Sequence, residues 1–335
     1  MKSQALICNE EQEFSLEAFE IPPLAPADLL VRCTYSGVSV GTEFAVFRRK
    51  LDYGPFPVCT GYQAVGIVEA VGSDVTRFEV GDKVYYRRNF MPMWVDGRPV
   101  TICSGVHASY TVLPQDAEIE RLPAGVDDAT GSLFVMPSVG YNAVDMAGVQ
   151  MGDVAAFHAV GMIGLGALAA ARLRGAITIA IDLNPRRLEM AKSLGASYVI
   201  DAGGLAADEV KARVEEIKPG GADVVFEGSG IPRCLDLAFP LARLRGKFVF
   251  LGHYGKDPVY FNYLIPHSKQ LTAFFPCNDG LEPCREAVLR NLATGAIPWQ
   301  KTITHRVTGA EAPDLYTRVF RDEIPDLFGA VIHWS

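Results

Sequence analysis

Disulfide and metal spacing are the first things missing from this chain of 335 residues. Its seven cysteines (Cys8, Cys33, Cys59, Cys103, Cys234, Cys277 and Cys284) contain no C-x-x-C pair, which removes the usual zinc-ribbon and redox-dithiol spacings. An odd set of this kind is expected to be buried, reduced thiols. Positive charge is also short: 31 Lys and Arg face 39 Asp and Glu, a formal net charge of −8. That deficit excludes the broad basic face a nucleic acid or an anionic membrane would require. No apolar run is long enough to span a bilayer, because Val154 to Ile181 is broken by Arg172, Arg174 and several glycines. The first residues turn acidic at Glu10 before a signal-length apolar core develops, so the cytoplasm is the expected compartment. Repeats and low-complexity tracts are lacking too.

What remains is a soluble composition, 49% hydrophobic and 21% charged, at a length typical of two cores. Residues 1 to about 120 read as short β-segments (Leu29–Tyr35, Gly66–Val71, Lys83–Tyr86, Ser109–Leu113) punctuated by prolines and Gly81-Asp82. From about 124 the rhythm becomes strand and helix in alternation. Strands are expected at Val154–His158, Ile177–Ile181, Tyr198–Ile200, Asp223–Phe226 and Lys247–Leu251, with helices between them. This alternation predicts an α/β fold, a doubly wound parallel sheet beside a small β-barrel. The division expected is 1–123, completed by 271–335, around 124–270. A last apolar strand at 329–334 is hard to place unless it rejoins the first domain.

Ala159-Val160-Gly161-Met162-Ile163-Gly164 lies between a strand and a helix, where a dinucleotide fingerprint belongs. Ala159 stands at the first glycine position. Gly161 would admit the pyrophosphate, Gly164 would allow close helix–strand packing, and the helix start would supply amide donors. Asp182 ends the next strand and would accept the ribose hydroxyls of NAD. Arg186 and Arg187 keep NADP open as the less favoured cofactor. His158 reads as structural, and Gly246 and Gly252 as turns flanking the fifth expected strand.

Gly61-Tyr62-Gln63-Ala64-Val65-Gly66-Ile67-Val68-Glu69-Ala70-Val71-Gly72 has the frame G-x-x-x-x-G-x-V-x-x-V-G. With Ser36-Gly37-Val38, Phe78 to Val84, the fingerprint and Arg187 to Ala196, it resembles the medium-chain dehydrogenase/reductase superfamily over essentially the whole chain. The resemblance implies a GroES-like barrel carrying the catalytic residues, a Rossmann domain, an active site in the cleft between them, and a homodimer or homotetramer. Zinc relatives carry His and Glu after the first glycine of that frame; here these are Tyr62 and Gln63. The family cysteine aligns with Ser39 or Val40, and Val135-Met136-Pro137 offers no third ligand. The expectation is a member without zinc.

Without a metal, a side chain must pass the proton and stabilise the oxyanion. Tyr62 is the candidate acid or base, provided neighbouring cations depress its pKa; alternatively it fills the hole left by the metal. Ser39 and Thr42 are candidate hydroxyl relays, and Gln63 and Asn142 candidate partners of a polyhydroxylated substrate. Glu43 is either a base or a helix cap. Arg48, Arg49, Arg87 and Arg88 would meet an anionic substrate group if they face the site; otherwise they are solvated loop ends. The expected activity is NAD-dependent oxidation of a secondary alcohol in a small cyclic, polyol or sugar-like molecule. The alternatives are an NADPH-dependent enone or quinone reductase and a non-catalytic nucleotide-binding protein.

Overall fold

The computed structural model describes residues 1–276 and 282–334. Cys277 lies outside these residues. The chain divides into two units, Met1–Phe134 with Ile303–Ser335, and Val135–Thr302.

In the first unit the long strand Asp28–Val38 pairs antiparallel with Ala64–Val71, Tyr110–Pro114 and Gly329–His333. Two register shifts against Ala64–Val71 bend it, the local curvature that β-bulges supply. A second sheet runs Phe14–Glu20, Lys2–Cys8, Val58–Cys59, Thr101–Ile102. An Ala5–Ala108 bridge reaches from that sheet to the segment before Tyr110–Pro114. Side chains from both ends of the sequence, among them Leu29, Val68, Phe44, Tyr316 and Trp334, share one core. The final strand 329–333 thus does rejoin the first domain, lying against 35–38.

The second unit holds a six-stranded parallel sheet. Its order is Tyr198–Asp201, Ile177–Asp182, Val154–His158, Ala222–Glu227, Ala242–Phe250, Thr272–Phe274. Numbered along the chain, that is 3-2-1-4-5-6, the doubly wound order whose switch point lies between the first and fourth strands. Pro185 opens the helix Pro185–Ser193, and the Asn184 side chain caps it by accepting the Arg186 N–H.

The unit edges fall at 134/135 and 302/303 rather than at 123/124 and 270/271. The reason is pairing and packing: Thr272–Phe274 adds the sixth parallel strand, and Glu282–Ala293 packs on Val135–Met146. The six described cysteines are free but not uniformly buried. Cys8, Cys33 and Cys59 are buried, while Cys103, Cys234 and Cys284 are partly exposed. Burial pushes the Cys8 and Cys33 thiols up to about 12 and Cys103 to about 11, keeping them protonated.

Candidate active site

Ser39 is the extended residue that precedes the helix Val40–Phe47. Tyr62 follows Gly61, whose φ of +90° only glycine adopts freely. A Cβ on Gly61 would also lie 2.7 Å from the His107 ring. The turn therefore serves two purposes, aiming Tyr62 and making room for a buried imidazole. Tyr62 Oη donates to Ser39 Oγ at 2.5 Å and is also hydrogen-bonded to the Thr42 side chain. Arg87 lies over the Tyr62 ring, 5.9 Å from its centroid, and is paired with Glu118 at 3.1 Å.

The expected cationic depression of the Tyr62 pKa is not found. Burial pushes the phenol up to about 12, and its hydrogen bonds with Ser39 and Thr42 and the charge of Arg87 offset this only in part. Glu43 is not placed as a base. Its Oε1 accepts the Ser39 N–H at 2.7 Å, while its Oε2 accepts from Thr60 at 2.8 Å and Tyr316 at 2.8 Å and lies 2.9 Å from His107 Nε2. It is a cap, and more than a cap. Burial works to raise its pKa, but the adjacent His107 and the hydrogen bonds from His107, the Ser39 N–H and Thr60 hold it below the usual carboxylate range.

Gln63 is buried, and its Nε2 is 3.4 Å from the Gly37 carbonyl. Asn142 lies on the helix Val135–Met146 of the second unit, whereas Tyr62 belongs to the first. Arg48 pairs with Asp322, Arg49 donates to the Glu10 carbonyl, and both Arg87 and Arg88 bind Glu118. His107, Thr60 and Tyr316 escaped the sequence reading. The one clue was a histidine inside the apolar run Val106–Ala108; nothing in periodicity links it to Glu43 or Tyr316.

Zinc is held by thiolate, imidazole or carboxylate donors. The matching positions here offer two neutral hydroxyls bonded to one another, and the nearby Glu43 carboxylate is already occupied by donors. Among the described residues no group of three or more His, Cys, Asp or Glu converges. These residues do not fit a zinc ion.

In the second unit Gly161 caps the helix Met162–Leu173 without a side-chain bond, which leaves the first amides of the helix open. A Cβ on Gly161 would meet nothing within 4 Å, whereas one on Gly164 would lie 2.7 Å from the Ala159 carbonyl. Ala159 itself takes φ +69°, the left-handed conformation for which glycine is suited. Asp182 Oδ2 accepts the Val160 N–H at 2.9 Å, Oδ1 accepts that of Asn184 at 2.9 Å, and Arg187 Nη1 stands 3.7 Å away. This cradle of backbone amides with a carboxylate beside it fits a dinucleotide.

His158 and Glu227 end the two strands at the switch point, 3.3 Å apart, and the Tyr254 hydroxyl donates to the same carboxylate. Gly252, just after the strand Ala242–Phe250, allows the backbone of Gly230 to approach closely, since a Cβ there would lie 2.4 Å from the Gly230 nitrogen. Gly246 lies inside the strand Ala242–Phe250, before the residues that pair with Val224 to Glu227. It is therefore toward the strand start, not at the ligand-binding carboxyl edge. No helix among the described residues is long and apolar enough to cross a membrane.

Comparison with known proteins agrees with this architecture. Residues 25–124 match the alcohol dehydrogenase GroES-like domain, and residues 162–294 match the zinc-binding dehydrogenase family. The chain is 25% identical to erythritol/L-threitol dehydrogenase of Mycolicibacterium smegmatis, with 91% of each chain covered. It is 28% identical to sorbitol dehydrogenase of Bacillus subtilis, with 74% of each covered. Among solved structures, galactitol-1-phosphate dehydrogenase of Escherichia coli superimposes with a TM-score of 0.86 at 19% identity, covering 98% of this chain and 99% of that one. With a GroES-like domain, a Rossmann domain and relatives of this kind, the chain belongs to the medium-chain dehydrogenase/reductase superfamily of NAD(P)-dependent oxidoreductases.

Proposed function

We propose that the protein is a zinc-independent dehydrogenase of a small polyol or sugar-like substrate, using NAD(H) and interconverting a secondary alcohol and its ketone. The observation that carries this reading is the Tyr62–Ser39–Thr42 hydroxyl cluster at the positions where a metal would need ligands. The polyol and sugar-alcohol relatives support the substrate class. The dinucleotide, when bound, supplies or accepts the hydride. Gly161, Met162, Ile163 and Gly164 would hold its pyrophosphate through backbone amides, and Asp182 would hold a ribose hydroxyl.

The proton is handled by the chain itself. Because its phenol stays protonated at neutral pH, Tyr62 donates to the substrate oxygen in the reducing direction and stabilises the same oxygen by hydrogen bonding. Ser39 and Thr42 relay the proton, and Gln63 and Asn142 orient substrate hydroxyls. We further propose a homodimer or homotetramer, which light scattering on the purified protein would check.

Replacing Tyr62 by Phe is expected to lower kcat by about 100-fold or more while leaving the dissociation constant for NADH unchanged. Undiminished turnover would remove Tyr62 from the mechanism. A second reading, use of NADPH, has one observation in its favour: Arg187 stands within 3.7 Å of Asp182. Titration with NADH and NADPH side by side decides it, and preference for NADPH would turn the substrate search to enones and quinones.

A further inference from the structure

Behind the Tyr62 cluster lies a buried polar network that the proposed chemistry has not used. Glu43 is only 2% exposed, and no Lys or Arg side chain accompanies it among the partners given above. Its donors come from four parts of the first unit: Ser39 before the helix Val40–Phe47, Thr60 before Gly61, His107, and Tyr316 on the helix Ala312–Phe320.

The orientation of His107 follows from its other contact. Trp334 Nε1 can only donate, and it donates to Ser36 Oγ at 2.8 Å. Ser36 Oγ also lies 2.8 Å from His107 Nδ1. With the Ser36 hydroxyl proton on the Nδ1 side, the His107 Nε2–H faces both Glu43 Oε2 at 2.9 Å and Tyr316 Oη at 2.8 Å. The Ser39 N–H, Thr60 and Tyr316 all donate to Glu43, and His107 Nε2 lies within reach of both that carboxylate and Tyr316 Oη. An ionised carboxylate fits that site, and a protonated one would leave its own proton facing donors.

We propose that Glu43, oriented by His107 and Tyr316, is a positioning residue that fixes Ser39 against Tyr62 and places a permanent negative charge behind the phenol, so that Tyr62 works as a proton donor and not as a resting phenolate. This rests on the reading of Tyr62 as the acid. In the reducing direction the Tyr62 O–H bond breaks and an O–H bond forms on the substrate oxygen. That oxygen takes up the C=O electron pair as the carbonyl carbon gains hydride from a reduced nicotinamide dinucleotide. The phenolate left behind regains a proton from water through Ser39, and the charge of Glu43 makes that return favourable.

The charged and titratable groups facing this cluster are few. Arg87 opposes Glu43, but Glu118 already pairs with it. His107 and Tyr316 are donors to the carboxylate, and the Cys59 and Cys103 thiols beside it are pushed up by burial and stay neutral.

The test is an alkaline ultraviolet titration of phenolate absorbance in the full chain, reading Tyr62 as wild type minus Tyr62→Phe. No Tyr62 phenolate is expected below pH about 10.5, above the ordinary tyrosine value of about 10. In Glu43→Gln, read against Glu43→Gln with Tyr62→Phe, its onset should move down by about one pH unit. Glu43→Asp should restore it. A phenolate in the wild type near pH 8, or an unchanged onset in a folded Glu43→Gln, would overturn the inference. If Glu43→Gln does not fold, the wild-type difference titration still decides whether the phenol is held protonated. Turnover of Tyr62→Phe is a separate readout. Lost turnover with an early phenolate sinks this inference alone, and retained turnover sinks the reading it rests on.

Discussion

The two units hold their functional groups by different means. In the second, the cradle is mostly backbone: amides at a helix start, a loop carrying Gly161 and Gly164, and one carboxylate that itself accepts two backbone N–H groups. In the first, the cluster is side chain on side chain, assembled from Ser36, Ser39, Glu43, Thr60, Tyr62, His107, Tyr316 and Trp334. Tyr316 and Glu43 are 273 positions apart in sequence. A backbone cradle tolerates changes that do not fill its space, whereas a buried side-chain network fails when its acceptor is removed.

The largest effect should therefore come from the first unit. Glu43→Leu leaves the Ser39 N–H and Thr60 without their acceptor and His107 and Tyr316 with only each other at this end of the network, and should destabilise by about 3–5 kcal/mol. Urea unfolding followed by tryptophan fluorescence, from Trp94, Trp299 and Trp334 together, would show it, and a loss below about 1 kcal/mol would mean the donors find other partners. An acid dependence goes with it. The Glu43 pKa is lowered in the folded chain, so its stabilising contribution is complete above the unfolded value of about 4.3. It is lost as pH falls through the lower folded value. Glu43→Leu should flatten that part of the stability profile.

The cradle should behave in the opposite way. Gly161→Val adds atoms where a Cβ meets nothing within 4 Å, at a φ of −67° that valine accepts. Unfolding free energy should change by less than about 0.5 kcal/mol, while NADH affinity falls about 100-fold, roughly 2.7 kcal/mol. If the fold weakens and affinity survives, the backbone cradle is not where the dinucleotide lies. Asp182→Asn should be milder. It removes the charge but keeps an oxygen for one of the two backbone N–H groups, and the preference for NADH over NADPH should shrink about tenfold, roughly 1.4 kcal/mol. Binding assays with both cofactors would read it.

The same contrast explains what could be read in advance. Lys83–Tyr86 and Val154–His158 occupy the residues that apolar and β-branched runs assign them, and the alternation after 154 leads to the doubly wound sheet. Backbone-made features have local signatures, because a glycine at a turn or an asparagine at a helix start acts on its immediate neighbours. The Glu43 network has none. His107 is chemically legible as a polar residue in an apolar run, but its partners are fixed by tertiary packing of the helix 312–320 and the strand 329–333. The shifted unit edges have a similar origin, since Thr272–Phe274 is too short a run to declare itself a sixth strand until the fifth lies beside it.

Ala159 is where the two kinds of reasoning meet, and it carries the smallest predicted effect. A left-handed alanine costs about 1–2 kcal/mol, and Ala159 adopts that conformation at φ +69°. Glycine would relieve the strain but would loosen the unfolded chain, a penalty of about 0.4–1 kcal/mol. The balance for Ala159→Gly is then a gain between about zero and about 1.6 kcal/mol, a small rise in the urea midpoint at constant slope. Affinity for NADH should hold, because the loop amides keep their positions. If the variant were instead destabilised, the Ala159 methyl group would have to make contacts that outweigh its strain. The first position of the fingerprint would then be selected for packing as well as for the turn, and the cradle would depend on side chains in the way the Glu43 network does.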